Sequence, residues 1–170
     1  MLILLYLIRA ETAVFPELVA QICQEFGAFQ GCVWDPKLAG LHGRLKRIEE
    51  SILDKSQYQE ESLTDLSPPI EDSRDPLPPL LLRDEFDYRR VPDGVWWINF
   101  WDKIQVETIG LQRILTANWA QIIEQPKGAL VLVATDEPTD VNNPEHLLRL
   151  GEIVSHLHLG ELQEYHVISR

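Results

Sequence analysis

Basic residues are scarce in this 170-residue chain: 15 Lys plus Arg stand against 27 Asp plus Glu, a formal net charge of −12. A protein that holds phosphate needs clustered cations, so the imbalance argues against nucleic acid and anionic membrane surfaces as partners. Cysteine is scarce too, with only Cys23 and Cys32. Two thiols do not make the disulfide framework of a small secreted domain, and they lack the Cys-x-x-Cys spacing of a redox or zinc site. One bridge between them is open in principle, but two small buried hydrophobes is the favoured reading. No apolar run approaches the roughly 20 residues needed to span a bilayer. The opening run, residues 1–8, is too short for that. It has no preceding Lys or Arg and no small-residue cleavage pattern after it, so it reads as a buried strand of a cytoplasmic protein.

Motifs that carry chemistry are also missing. There is no His-Glu-x-x-His, no Gly-x-Ser-x-Gly elbow and no phosphate loop, since Gly40-Leu-His-Gly43 lacks the lysine and the length. His156 and His158 form the only close histidine pair, and on a helix they would point about 200° apart. No metal, cofactor or catalytic residue is therefore expected. With 45% hydrophobic and 25% charged residues the composition is that of a folded domain, and the length suits one domain over residues 1–170.

The patterning predicts an α+β fold: a mixed or mostly antiparallel sheet with helices packed mainly on one side. After the first strand, Pro16 opens a helix with Leu18, Val19, Ile22, Cys23 and Phe26 on one stripe, ended by Gly27 or Gly31. A strand over 31–34 follows, then a helix over about 37–56 with Leu38, Leu41, Leu45, Ile48 and Ile52 at helical spacing. Residues 95–101 (Val-Trp-Trp-Ile-Asn-Phe-Trp) read as a central strand covered on both faces, with Val95, Trp97, Asn99 and Trp101 sharing one of them. A buried Asn99 must be hydrogen-bonded, and ordering a neighbouring loop would satisfy it. Asp102 is placed to cap a helix ending at Gly110, with a second short helix to Leu115. Residues 119–125 and 129–134 form a hairpin about Pro126-Lys127-Gly128. Pro144 opens a helix closed by Gly160, and residues 164–168 are predicted as a final strand.

One segment stands apart. Residues 60–92 hold six of the eleven prolines, and residues 60–87 hold nine acidic against two basic side chains. Proline and like-charge repulsion make this an extended acidic loop at about 60–92. Its carboxylates are read as solvated charge rather than a catalytic pair. The remaining net charge of −5 spreads over the other 142 residues as an unexceptional surface.

The second half of the chain adds a likeness. Residues 92–101 (Pro-Asp-Gly-Val-Trp-Trp-Ile-Asn-Phe-Trp), Ile109-Gly110, Trp119, Lys127-Gly128 and Asn143-Pro144-Glu145 resemble immunity proteins of bacterial polymorphic-toxin and contact-dependent inhibition systems, over about residues 91–159. The resemblance implies a non-enzymatic cytoplasmic domain that neutralises one toxin domain by stoichiometric binding. A nuclease-type toxin would be basic, and an acidic partner would be steered onto it. The expected partner-binding residues are Asp84, Glu85, Phe86, Asp87 and Tyr88, with Glu71, Asp72 and Asp75 as outlying steering charges. Two other classes compete: a regulatory or structural interaction domain without a toxin partner, and an enzyme of unrecognised type, which needs a deep carboxylate- or histidine-lined pocket. The sequence leaves the oligomeric state open.

Overall fold

The computed structural model describes residues 2–5, 14–33 and 86–166, with side chains for the last two spans. The predicted helix over 37–56, most of the acidic loop and the residues from 167 onward lie outside the described residues.

The aromatic run builds the centre of the sheet. Strand β3 (Ile98–Trp101) is buried at every position. It pairs antiparallel with β2 (Gln30–Val33) on one side and with β5 (Leu130–Val133) on the other. Beyond β5 lies β4 (Gln121–Glu124), and beyond β2 lies β1 (Leu2–Leu5) in the single parallel pairing. The order is β1-β2-β3-β5-β4, an α+β fold on a mixed, mostly antiparallel five-stranded sheet. Parallel neighbours need a crossover, and helix α1 (Phe15–Glu25) lies between β1 and β2 in the chain. It starts with Pro16 in its first turn and gives way to Gly27 at φ 59°, a left-handed position suited to glycine.

Alternation along the strands divides the core in two. Ile98, Phe100, Val131 and Val133 face α1, packing with Phe15, Val19, Ala20 and Cys23. Trp101, Cys32, Leu130 and Leu132 face the opposite layer. Four helices build that layer: α2 (Lys103–Ile109), α3 (Leu111–Thr116), α4 (Pro144–Leu157) and α5 (Leu159–Tyr165). Among the described residues, helices thus lie mainly on one side, with α1 alone on the other. Asp102 caps α2 by accepting from the Gln105 N–H at 3.0 Å, and Asn143 caps α4 by accepting from the Glu145 N–H at 3.0 Å.

Two expectations need correction. Strand β3 begins at Ile98 instead of Val95, because the Asn99 amide takes the Trp96 backbone out of strand pairing. Its Oδ1 accepts from the Trp96 N–H at 2.9 Å and its Nδ2 donates to the Trp96 carbonyl at 2.8 Å. A third bond, from Nδ2 to the Leu132 carbonyl at 3.3 Å, ties this loop to β5. The neighbouring tryptophans consequently exchange faces: Trp96 joins Trp101, while Trp97 packs edge-on against Phe15 at 5.7 Å in the α1 layer. The second correction concerns the chain end, where Glu164 and Tyr165 belong to α5 and not to a strand. His158, left-handed at φ 54°, ends α4 before Gly160 is reached. Leu159, Leu162 and Gln163 then recur at helical spacing on the inner face of α5.

Cys23 and Cys32 are free, buried, and on opposite faces of β2, so neither is a bridge partner of the other. The close approach of α1 to β2 depends on Gly31. A Cβ there would overlap Cys23 Sγ and lie 3.6 Å from Phe100 Cβ. Gly31→Ala is expected to destabilise by about 1–3 kcal/mol in urea unfolding, the range for overpacking a tight core. Adding Cys23→Ala should restore much of that loss, because it removes the obstructing atom. Simple additivity of the two substitutions would contradict the packing described.

Candidate functional site

The C-terminal end of the acidic loop is fastened to the body. Phe86 is 1% exposed and lies in the helical-layer core, 4.2 Å from the Tyr88 ring between centroids. Its role is to anchor the segment from within, so among the described site residues the outward aromatic is Tyr88, at 40% exposure. The Asp87 N–H donates to the His166 carbonyl at 3.0 Å, and Asp87 Oδ1 accepts from the Arg89 N–H at 3.0 Å. Asp87 Oδ2 lies 3.4 Å from Arg90 Nε in an exposed ion pair, which is worth little energetically but orients the carboxylate. Asp84, Glu85, Glu71, Asp72 and Asp75 lie outside the described residues.

Three buried glutamines hold the rest of the segment. Gln105 Nε2 donates to the Tyr88 carbonyl at 2.9 Å and to Gln30 Oε1 at 3.4 Å. Gln30 Nε2 donates to Asp93 Oδ1 at 2.8 Å, and that oxygen also accepts from Trp96 Nε1 at 3.3 Å. Gln163 Nε2 donates to the Pro92 carbonyl at 2.8 Å. The Tyr88 and Pro92 carbonyls and the Asp93 carboxylate accept from these buried side-chain amides, while Gln105 Oε1 is buried without a partner among the described residues. Sequence reading passed over all three, since glutamine reads as surface. The one available signal was position: Gln163 falls four residues after Leu159 and Gln105 immediately before buried Val106.

A second feature had no precursor in the sequence. A cleft of about 460 Å³ opens between the ends of β4 and β5 and the first turns of α4, lined by Asp136, Glu137, Glu145, His146, Arg149 and Glu152 among others. Arg149 is committed internally, with Nε donating to the Asn118 carbonyl at 3.1 Å and NH1 lying 3.8 Å from Asp136. Asn118 Nδ2 donates in turn to Glu152 Oε2 at 3.3 Å. His146 Nδ1 accepts from the Asp140 N–H at 3.1 Å, which places the hydrogen of the neutral ring on Nε2. Among the described residues no three His, Cys, Asp or Glu side chains are grouped to hold a metal ion. Burial pushes Cys23 up to about 12, and it does the same for Cys32, helped by the nearby charges of Asp93 and Cys23.

Residues 14–33 and 86–166 carry 14 Asp and Glu against six Lys and Arg. The described residues are therefore acidic in their own right.

No protein-family model, curated protein or solved structure matches the chain. No helix among the described residues is long and apolar enough to cross a membrane.

Proposed function

We propose that this chain is a non-enzymatic, cytoplasmic protein-binding domain that neutralises a basic toxin domain by stoichiometric binding, as an immunity protein does. The observation that carries the reading is the acidic body, with its carboxylate-lined cleft and an Asp87–Tyr88 turn that buried amides hold in place. A surface of one sign steers an oppositely charged partner, and a turn ordered before contact loses little entropy on binding. Tyr88 supplies a large amphipathic anchor beside the charges, a residue type enriched where interfaces concentrate their energy.

The reading is tested by Asp84→Asn, Glu85→Gln and Asp87→Asn together, with association followed by stopped flow. Asparagine at 87 keeps an oxygen to accept from the Arg89 N–H, so the turn is preserved while the charge is lost. The triple variant should associate about tenfold more slowly at low salt and show a flatter salt dependence, with dissociation little changed. Unchanged association kinetics would remove the acidic segment from the interface.

A further inference from the structure

We infer that the outer edge of β4 receives an extended, basic segment of the protein partner, added to the sheet as a sixth strand. The inference rests on the proposed function for the existence of such a partner. It draws its geometry from the hairpin alone. Among the described residues β4 is the last strand of the sheet, and no strand pairs with its outer side. The Gln125 N–H donates to the Ala129 carbonyl at 2.9 Å, which sets the alternation of the β4–β5 ladder. Residues 121, 123 and 125 turn their backbone groups toward β5. Ile122 and Glu124 turn theirs outward, offering two N–H donors and two carbonyl acceptors at the spacing an added strand requires.

Edge strands are blunted by shortness, charge, proline or bulges; the four-residue β4 carries one charge, Glu124, and has neither proline nor lysine. Its one charge is negative. The acidic cleft adjoins the N-terminal end of the same edge: Asn118 of the cleft precedes Gln121 by three residues, and Thr135 and Asp136 directly follow the strand whose Val133 stands opposite Gln121. Carboxylates lie at both ends of the edge, Glu124 at one, three residues before Lys127, and Asp136, Glu137 and Glu152 about the cleft at the other, where among the described residues they outnumber the one cation, Arg149. This favours lysine and arginine side chains on the incoming strand. A second copy of this chain would bring the same carboxylates face to face, so the complementary occupant is a basic strand.

The test uses the full chain and two ten-residue peptides, one alternating lysine with valine and the other glutamate with valine, with amide hydrogen exchange read by NMR. The basic peptide should slow exchange at Ile122 and Glu124 by about tenfold or more, while Gln121 and Ile123, already bonded to β5, stay unchanged. Glu124→Pro deletes one outward N–H without removing a β4–β5 bond, and should weaken peptide binding about tenfold. Glu124→Gln keeps that N–H and should cost only about two- to threefold. Three results would overturn the inference: no slowing at Ile122 and Glu124 with saturating basic peptide, an equal effect of the acidic peptide, or slowing that appears in concentrated chain alone, which would mark a second copy as the occupant. The exchange measurement stands even if Glu124→Pro fails to fold. A basic toxin domain that binds without slowing those two amides refutes the edge but leaves the proposed function intact. Peptide-induced slowing without any toxin complex does the reverse.

Discussion

Asn99→Ala is expected to destabilise the protein by about 2–5 kcal/mol, since it strands the buried N–H and carbonyl of Trp96, each costing about 1–3 kcal/mol when unsatisfied. The same change releases the link from this loop to the Leu132 carbonyl. Because Asn99 decides where β3 begins, the loss should also be visible beyond stability. The loop sends Trp96 to the helical layer and Trp97 to the α1 layer, the reverse of a continuous strand, so the near-ultraviolet circular dichroism of the tryptophans should weaken when it is lost. Urea unfolding followed by both signals tests this. A stability change within about 0.5 kcal/mol, as at an exposed site, would contradict the role assigned to the amide.

Stability should also fall steeply at alkaline pH, because burial holds both thiols at a pKa of about 12 against an ordinary value of 9.0. The sign follows from proton counting. Above about pH 9 the unfolded chain loses its thiol protons while the folded chain keeps them, so the folded state is increasingly disfavoured. The contribution is complete below about pH 9 and lost progressively as pH rises toward 12. Each thiol adds a slope of about 1.4 kcal/mol per pH unit, so the pair contributes about 2.7. Replacing both cysteines by alanine should flatten this limb, although it lowers stability at neutral pH. Identical slopes for the two proteins between about pH 9 and pH 11 would show that the thiols are not held neutral by the core.

Much of the fold was legible because one residue type in one place has one physical use. Asp102 and Pro144 announce helix starts, Gly27 and Gly110 occupy positive φ where helices stop, and Pro126-Lys127-Gly128 closes the hairpin. The central strand was visible in its aromatic density. What could not be read were features that depend on partners distant in sequence. Asn99 reaches a backbone three residues away, but its effect on the faces of Trp96 and Trp97 depends on β5 and α1. Gln30, Gln105 and Gln163 are buried because residues 88–93 come to them, and periodicity does not encode that meeting. The cleft joins a strand end near Asn118 to a helix start at Glu145, which only tertiary folding brings together. Phe86 illustrates the limit most plainly. An aromatic beside charges suggests an exposed anchor, yet its ring serves the interior and Tyr88 is the one turned toward solvent.

Binding of a basic protein partner, as proposed, is tested most directly with the product of the reading frame immediately upstream of the gene, which is expected to encode a toxin. Its C-terminal domain, mixed with the full chain at low salt and passed through size exclusion with light scattering, should elute as a stoichiometric complex that weakens as salt is raised. Absence of any complex at low salt, or of such a reading frame, would contradict the account.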